Sequence, residues 1–266
     1  MKIGYIQNDP EFGRKEMNFR QVRELTKGIQ DDVALLVLPE LFATGYAFQS
    51  IKETKMMAED ISGETIHFLQ DLCRSIGCVI CAGFAEIDRD RDQIYNSAVL
   101  VDEHEALGVY RKLHLFNKET LYFSPGNLPL AVHTIGGMKV GMMICFDWIY
   151  PEVARTLALL DADIIAHPAN LVLPYCQDAM ITRCLENHVF AITANRVGRE
   201  TRGMDNFIFT GQSQVTSFDG TVLARAPAGA PVVKIVEINQ KDARNKKINE
   251  FNDLIAGRRP SMYRTR

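Results

Sequence analysis

Short apolar segments alternate with amphipathic segments along the whole chain. Two of the apolar segments, 34–38 and 163–166, are almost wholly hydrophobic, which is typical of strands that are covered on both faces. Segment 65–76 instead places its apolar residues at helical spacing. The pattern predicts strands at 2–8, 33–38, 78–86, 95–101, 106–111, 130–134, 138–145, 163–167, 189–195, 213–218, 221–225 and 231–237. It predicts helices at 14–30, 63–76, 151–160, 178–187 and 239–247.

This order of elements predicts a mixed α/β fold with more than one sheet, because helices follow some strands and hairpins follow others. The chain has no internal repeat and no linker, so residues 1–266 are interpreted as one domain. Residues 248–266 form a C-terminal tail whose basic end, 258–266, is the least core-like segment. We expect that end to be disordered or docked on a partner subunit.

Composition narrows the class of protein. The chain has 266 residues with 47% hydrophobic and 24% charged residues, as in ordinary globular proteins. A net charge of −3 gives no reason to expect nucleic acid or an anionic membrane as a partner. No apolar stretch approaches the ~20 residues of a membrane span. The first ten residues become polar too early for a signal peptide, so we expect a cytoplasmic protein with reduced thiols.

Cys78 and Cys81 form a CxxC pattern that could indicate zinc or redox chemistry. They lie in a predicted strand, however, where residues three apart point to opposite faces. No other cluster of cysteine and histidine completes a zinc site. We therefore interpret both as small core residues and expect neither a metal nor another cofactor.

Cys145 ends an apolar strand-like run and is followed at once by a turn and a helix start. A free thiol has a pKa of about 8.5, so a nearby base is needed to form thiolate at neutral pH. Glu40 follows one buried strand and could be that base, and Lys112 follows another and could stabilise an oxyanion. The backbone N–H of Phe146 is a second candidate oxyanion donor. Together these groups predict acyl transfer through a thioester.

Each of the three residues also has a structural interpretation. A cysteine in an apolar run is usually a core residue, and a glutamate or lysine after a strand is usually solvated. Spacing alone does not show that Glu40, Lys112 and Cys145 converge.

The segments around these residues resemble the motifs of the nitrilase superfamily of carbon–nitrogen hydrolases. The glutamate motif is similar to 39–46, the lysine motif to 111–126 and the cysteine motif to 141–152. Two further patterns, His167–Asn170 and 183–196, follow in the family's order. The resemblance implies a four-layer αββα sandwich, in which two mixed sheets are flanked by helices.

The resemblance also implies the roles of the site residues. Glu40 would be the general base, Lys112 the oxyanion stabiliser and Cys145 the nucleophile, with Glu119 as an auxiliary glutamate that positions Lys112 or the substrate amine. The family needs no cofactor and no metal. It implies a homodimer or higher homo-oligomer formed through helices near 151–160 and 178–188.

Residues after the nucleophile indicate the substrate. Phe146 and Asp147 resemble the amidase and carbamoylase branches, and Ile149 stands where carboxylate-specific amidases often carry arginine. The candidate substrate-binding residues are Phe146, Tyr46, Trp148, Asn170 and Tyr175. A small neutral amide is therefore favoured, with a small nitrile or an N-carbamoyl compound as alternative substrates. A catalytically silent binding protein on the same fold is the alternative from another class.

Overall fold

The computed structural model describes residues 1–29 and 32–263. Its first sheet has six strands in the order β14-β1-β2-β3-β4-β5. β1, β2 and β3 are parallel neighbours, whereas β14, β4 and β5 join antiparallel. The strands are β1 Lys2–Gln7, β2 Val33–Val37, β3 Val79–Asp88, β4 Gln93–Val101, β5 Ala106–Arg111 and β14 Val232–Glu237.

The second sheet also has six strands, in the order β13-β12-β9-β8-β7-β6. β7, β8 and β9 are parallel and the outer strands are antiparallel. The strands are β6 Val132–Ile135, β7 Met138–Met142, β8 Ile164–Pro168, β9 Phe190–Ala194, β12 Gln214–Thr216 and β13 Val222–Arg225. Both sheets thus have a parallel centre, whose strand ends meet at one edge of each sheet.

The two sheets face each other across one hydrophobic core, where Leu35 and Val37 of β2 belong to the same buried cluster as Ile165 of β8. Helices α1 (Lys15–Thr26) and α3 (Glu64–Ile76) cover the outer face of the first sheet. Helices α5 (Pro151–Leu159) and α6 (Cys176–Asn187) cover the second. The four-layer sandwich is therefore confirmed.

Several local expectations were wrong. The helix expected over 14–30 ends at Thr26, and position 30 lies outside the described residues. The helix expected over 239–247 is a short 3₁₀ turn, Gln240–Arg244. The strand expected over 138–145 ends at Met142, so Cys145 begins a 3₁₀ turn instead of ending the strand. The pattern of apolar residues locates a run of strand-like sequence, but it does not show at which residue the backbone leaves the sheet.

The sequence also gave no signal for three smaller elements. They are α2 (Ile51–Met57), α4 (Glu119–Tyr122) and a separate hairpin of β10 (Arg199–Arg202) with β11 (Asp205–Ile208). Each is short and largely polar or exposed, so none carries a core-facing hydrophobic period. α2 begins instead at a local cap, where the Ser50 hydroxyl accepts the Glu53 N–H.

The described part of the C-terminal tail, residues 248–263, is mostly irregular. A single bridge joins Lys247 to Asp253, and a 3₁₀ turn spans Pro260–Met262. Residues 264–266 lie outside the described residues. Docking of this tail on a partner subunit stays a prediction. None of the helices in the described part of the chain is long and apolar enough to cross a membrane.

Candidate active site

The predicted catalytic residues lie between the two sheets, where the carboxyl ends of strands from both sheets meet. Glu40 follows β2 and Lys112 follows β5, both in the first sheet, whereas Cys145 follows β7 in the second. Glu119 is the first residue of α4. Both glutamates and the lysine act electrostatically on the Cys145 thiol. The fold therefore brings these four side chains together, although they are spread over more than a hundred positions.

Lys112 is completely buried between two carboxylates. Its Nζ lies 2.7 Å from Glu40 Oε1 and 2.8 Å from Glu119 Oε1. Burial lowers the pKa of Lys112, but the charges of Glu119 and Glu40 outweigh it and raise the pKa above its usual range. The lysine is therefore a fixed ammonium ion at neutral pH.

The two oxygens of Glu40 are in different environments. Oε1 accepts hydrogen bonds from Lys112 Nζ and, at 2.6 Å, from the side-chain amide of Asn96 on β4. Oε2 is buried and has no hydrogen-bond partner among the described residues. One oxygen thus fixes the carboxylate in place and the other is free to accept a proton.

The Glu119 carboxylate accepts hydrogen bonds from three groups, one of which is Lys112 Nζ. Its Oε1 also accepts the Tyr46 hydroxyl at 2.8 Å, and its Oε2 accepts the Phe116 backbone N–H at 3.0 Å. Burial raises the pKa of Glu119, the charge of Lys112 lowers it, and the charge of Glu40 raises it again. Because both glutamates face the same ammonium, their charges are only partly compensated.

The Cys145 thiol is buried and uncharged at neutral pH. Burial and the Glu40 charge raise its pKa well above the usual value, while Lys112 and the backbone N–H of Asn170 oppose that rise. The thiol therefore needs a base at the moment of reaction rather than a standing thiolate.

The backbone of Cys145 is strained and held from the second sheet. Its φ is +41°, in the left-handed region that a side chain rarely adopts. His167 Nε2 lies 3.0 Å from the Cys145 carbonyl oxygen and His167 Nδ1 lies 3.0 Å from Thr193 Oγ1. A carbonyl can only accept, so Nε2 carries the proton, and burial lowers the His167 pKa to about 4. The imidazole is a neutral anchor for the turn.

Asp147 anchors the same turn from inside. Its Oδ2 accepts the Ile144 N–H at 2.9 Å and the Tyr110 hydroxyl at 2.7 Å, and its Oδ1 lies 2.8 Å from His114 Nδ1. Asp147 is fully buried. Its side chain is therefore used to hold the turn, with no oxygen left over for substrate.

The thiol opens on a narrow cavity. Phe146, Trp148 and Asn170 line it with Cys145, as do Phe116, Leu171, Val172 and Leu173. None of these side chains is charged. Asn170 is 2% exposed, and neither polar atom of its side chain has a hydrogen-bond partner among the described residues. An unpaired buried amide is costly, which makes Asn170 a candidate for substrate contact.

Two candidate substrate-binding residues lie elsewhere. Tyr46 lines a second small cavity with Glu119, on the side of the hairpin residue Phe207. Tyr175 is 62% exposed just before α6 and lines neither cavity. The structure thus groups Phe146, Trp148 and Asn170 at the thiol, places Tyr46 on Glu119 and leaves Tyr175 at the surface.

The residues that orient the predicted catalytic side chains were not predicted from the sequence. His167 lay in a motif that was noticed but given no role, and Asp147 was used only to distinguish branches. Asn96 and Glu200, which contact Glu40 and the Tyr46 backbone, carried no signal because neither stands out locally: Asn96 adjoins another polar residue in β4, and every residue of β10 is polar. Among the described residues, no group of three or more His, Cys, Asp or Glu could hold a metal ion.

Comparison with known proteins identifies one family. The family described as carbon-nitrogen hydrolase matches residues 2–248. The chain is 46% identical over 265 residues to a nitrilase of Pyrococcus abyssi (strain GE5 / Orsay), covering 99% of both. It is 33% identical over 229 residues to an (R)-stereoselective amidase of Pseudomonas sp., covering 85% of this chain and 81% of that one. The structure of a carbon–nitrogen hydrolase from Helicobacter pylori G27 superposes with a TM-score of 0.81 at 26% identity, covering 92% and 91% of the chains.

Proposed function

This chain belongs to the carbon–nitrogen hydrolase family of the nitrilase superfamily, and we propose that it hydrolyses a small neutral amide to a carboxylic acid and ammonia through a thioester on Cys145. The observation that carries the proposal is Glu40 Oε2, a buried carboxylate oxygen without a hydrogen-bond partner among the described residues, whose charge acts on the buried thiol of Cys145.

Acylation begins when Glu40 takes the thiol proton as Sγ attacks the carbonyl carbon of the amide. The C–S bond forms, and the carbonyl oxygen takes the negative charge. The Lys112 ammonium, with the backbone N–H of Phe146, stabilises this oxyanion. Lys112 suits that role because two neighbouring carboxylates keep it charged and in place.

The tetrahedral intermediate collapses when Glu40 returns the proton to the nitrogen. The C–N bond breaks, ammonia leaves and the thioester remains. A water molecule then gives a proton to Glu40 and attacks the thioester carbon. Breaking the C–S bond releases the acid and restores the thiol, so the same base serves both halves of the cycle. Glu119 holds Lys112 throughout.

The cavity supports a small substrate without charge. Its walls are aromatic and aliphatic, and Asn170 offers the one side-chain amide among the residues that line it. Ile149, which stands where carboxylate-specific amidases often carry arginine, is 44% exposed and is not among the residues that line this cavity. An ionised group of the substrate that lies in this cavity would lose hydration, and none of the side chains lining the cavity would offer it an opposite charge.

A nitrile is the second candidate substrate, favoured by the 46% identity to a protein named nitrilase. The same thiol would add to the C≡N carbon to give a thioimidate, which water would convert to acid and ammonia. An N-carbamoyl compound is the third candidate and would release carbon dioxide as well as ammonia.

The test is to incubate the wild type and Cys145→Ala with amide, nitrile and N-carbamoyl panels. We expect ammonia and acid from small amides, an acyl adduct on Cys145 by mass spectrometry, and a loss of roughly 10⁴-fold or more in Cys145→Ala. Circular dichroism checks the fold of the variant. Unchanged ammonia release by the variant would rule out this mechanism, and acid from nitriles alone would favour the second candidate.

We also propose that the protein is a homodimer or higher homo-oligomer. Large apolar side chains are exposed on and beside α5 and α6, namely Leu159, Leu160, Leu173, Tyr175 and Leu185. Such a patch supports a protein interface. Light scattering coupled to size exclusion should give at least twice the 30.0 kDa chain mass, and Leu160→Glu should lower it.

A further inference from the structure

The β10–β11 hairpin belongs to neither sheet of the sandwich, yet it reaches the site. Its residue Glu200 is 5% exposed, although Arg199 and Thr201 on either side are exposed. The Glu200 carboxylate accepts the backbone N–H groups of Tyr46, at 3.0 and 3.2 Å, and of Ala47, at 2.8 Å. A buried acidic side chain on an outlying hairpin therefore binds the turn that carries Tyr46.

That turn is closely fitted to Glu200. Gly45 has a φ of +80°, and a Cβ there would lie 2.9 Å from Glu200 Oε1 and 2.8 Å from Phe12 Cα. The guanidinium of Arg196, 1% exposed, pairs with Glu200 on its other side and packs on the Phe209 ring. The carboxylate is thus paired, fixed and available only to the two N–H groups.

The side chain of Tyr46 continues the connection. Its ring packs edge-on against Phe207 and Phe209, with centroids 5.3 and 6.0 Å away. Its hydroxyl donates to Glu119, which binds Lys112. Glu200 therefore lies two contacts from Glu119 and three from the ammonium ion.

A second contact ties the hairpin to the same segment. Asp205 of β11 accepts Lys118 Nζ at 2.5 Å and the side-chain amide of Gln49 at 2.9 Å. Lys118 directly precedes Glu119. The hairpin is thus fastened on both sides of the Tyr46–Glu119 hydrogen bond.

We propose that Glu200 is a positioning residue for the reaction: through the backbone and hydroxyl of Tyr46 it fixes the Glu119 carboxylate, and with it the direction of the Lys112 ammonium ion. This rests on the proposed function for its catalytic consequence. The chain of contacts does not depend on the identity of the substrate.

The test is a double-mutant cycle with Glu200→Ala, Tyr46→Phe and the double variant. Iodoacetamide is the probe, and the alkylation of Cys145 is followed by mass spectrometry across pH. A loosened Lys112 would stabilise the thiolate less, so we expect each single variant to shift the rate–pH profile to higher pH. At neutral pH the alkylation rate should fall about tenfold or more.

The cycle separates positioning from general destabilisation. If Glu200 acts through Tyr46, adding Glu200→Ala to Tyr46→Phe should cost much less than adding it to the wild type. Losses that multiply in full, or a Glu200→Ala profile equal to the wild type, would overturn the proposal. Thr201→Ala is the matched control, an exposed change on the same strand, and should keep the wild-type profile.

Glu200→Ala removes the closer of the two carboxylates that pair with buried Arg196 and leaves only Asp9, at 3.4 Å, among the described residues, which could prevent folding. Glu200→Gln keeps one acceptor oxygen and close to the same volume, so it replaces the alanine variant in the cycle if needed. We expect an alkylation rate between those of the wild type and Glu200→Ala. A rate equal to that of the wild type would contradict a role for the negative charge of Glu200 in holding the backbone N–H groups of Tyr46 and Ala47.

With an amide that the wild type turns over, kcat per titrated Cys145 should fall about 10- to 100-fold in Glu200→Ala while KM changes little. If no amide is turned over by the wild type, the proposed function fails, whereas the alkylation cycle still decides the positioning role. If turnover is present and the cycle is additive, only the positioning proposal fails.

Discussion

The two halves of the site solve the problem of buried polar groups differently. The charged half consists of Glu40, Asn96, Lys112 and Glu119, which hydrogen-bond to one another; Glu40 Oε2 and Asn96 Oδ1 have no partner among the described residues. The thiol half consists of Cys145, His167 and Asn170, which carry no charge at neutral pH. The charge of the candidate site is thus concentrated in the first half, whereas the thiol half is neutral.

The two halves are expected to contribute differently to the stability of the fold and to the selectivity for substrate. Removing one member of a buried ion cluster leaves an uncompensated charge, which costs more than the cluster contributes. Removing a neutral group leaves its hydrogen-bond partners unsatisfied, which costs about 1–3 kcal/mol and therefore less than an uncompensated charge. Changes in the charged half should therefore affect folding and turnover together, and changes in the thiol half should separate them.

Lys112→Met should have the largest effect. It leaves Glu40 and Glu119 buried next to each other without a cation, so we expect turnover to vanish and the free energy of unfolding at pH 7 to fall by about 3–5 kcal/mol. Part of that loss should be recovered near pH 5, because one carboxylate can then take a proton. Chemical unfolding at both pH values measures this.

Lys55→Met is the control, since Lys55 makes an exposed ion pair with Asp92. Its removal should cost less than about 1 kcal/mol. Equal losses in the two variants would mean that the buried cluster does not behave as one electrostatic unit.

His167→Gln should have an intermediate and pH-dependent effect. The His167 pKa is lowered from 6.5 to about 4 by burial, so the unfolded chain binds a proton that the folded chain does not. Stability is therefore complete above pH 6.5 and is lost as pH falls toward 4, by about 3 kcal/mol at 1.4 kcal/mol per unit. Glutamine keeps a donor but does not titrate.

We expect His167→Gln to unfold with a smaller dependence on pH between 6.5 and 4, while retaining measurable turnover at pH 7. Denaturant titrations of both proteins across this range provide the comparison. Parallel stability curves would show that His167 is not the neutral anchor inferred from its two contacts.

Asn170→Ala should have the smallest effect on stability. Its side-chain amide has no partner in the part of the chain that the structure describes, so removing it should leave the melting temperature unchanged or raised. Asn96→Ala breaks a hydrogen bond to Glu40 and should lower the melting temperature. KM should rise about tenfold for amides whose acyl group can hydrogen-bond to the Asn170 side chain. It should change little for amides whose acyl group is purely aliphatic. A clear loss of stability in Asn170→Ala would place its amide in the protein's own network.

How much was predictable differs between fold and site. Apolar runs and helical spacing located most strands and the main helices, because both faces of each central strand and one face of each helix are buried. The pattern did not predict the hairpin Arg199–Ile208, because its two strands are short and carry several charged residues. Tyr175 is a predicted substrate-binding residue, but it directly precedes α6, is 62% exposed and is not among the residues that line the cavity at the thiol.

The four-layer sandwich was implied by the resemblance of the motifs, whereas the sequence by itself determined the order of Glu40, Lys112, Glu119 and Cys145 and a mixed α/β fold with more than one sheet. It could do so because residue type and local periodicity are properties of short segments. Only the tertiary structure decided that Glu40 keeps one oxygen free, that His167 and Asp147 hold the thiol turn, and that Glu200 reaches Tyr46 from an outlying hairpin. Those facts depend on contacts between segments far apart in the chain, which arise when the two sheets pack and their strand ends meet.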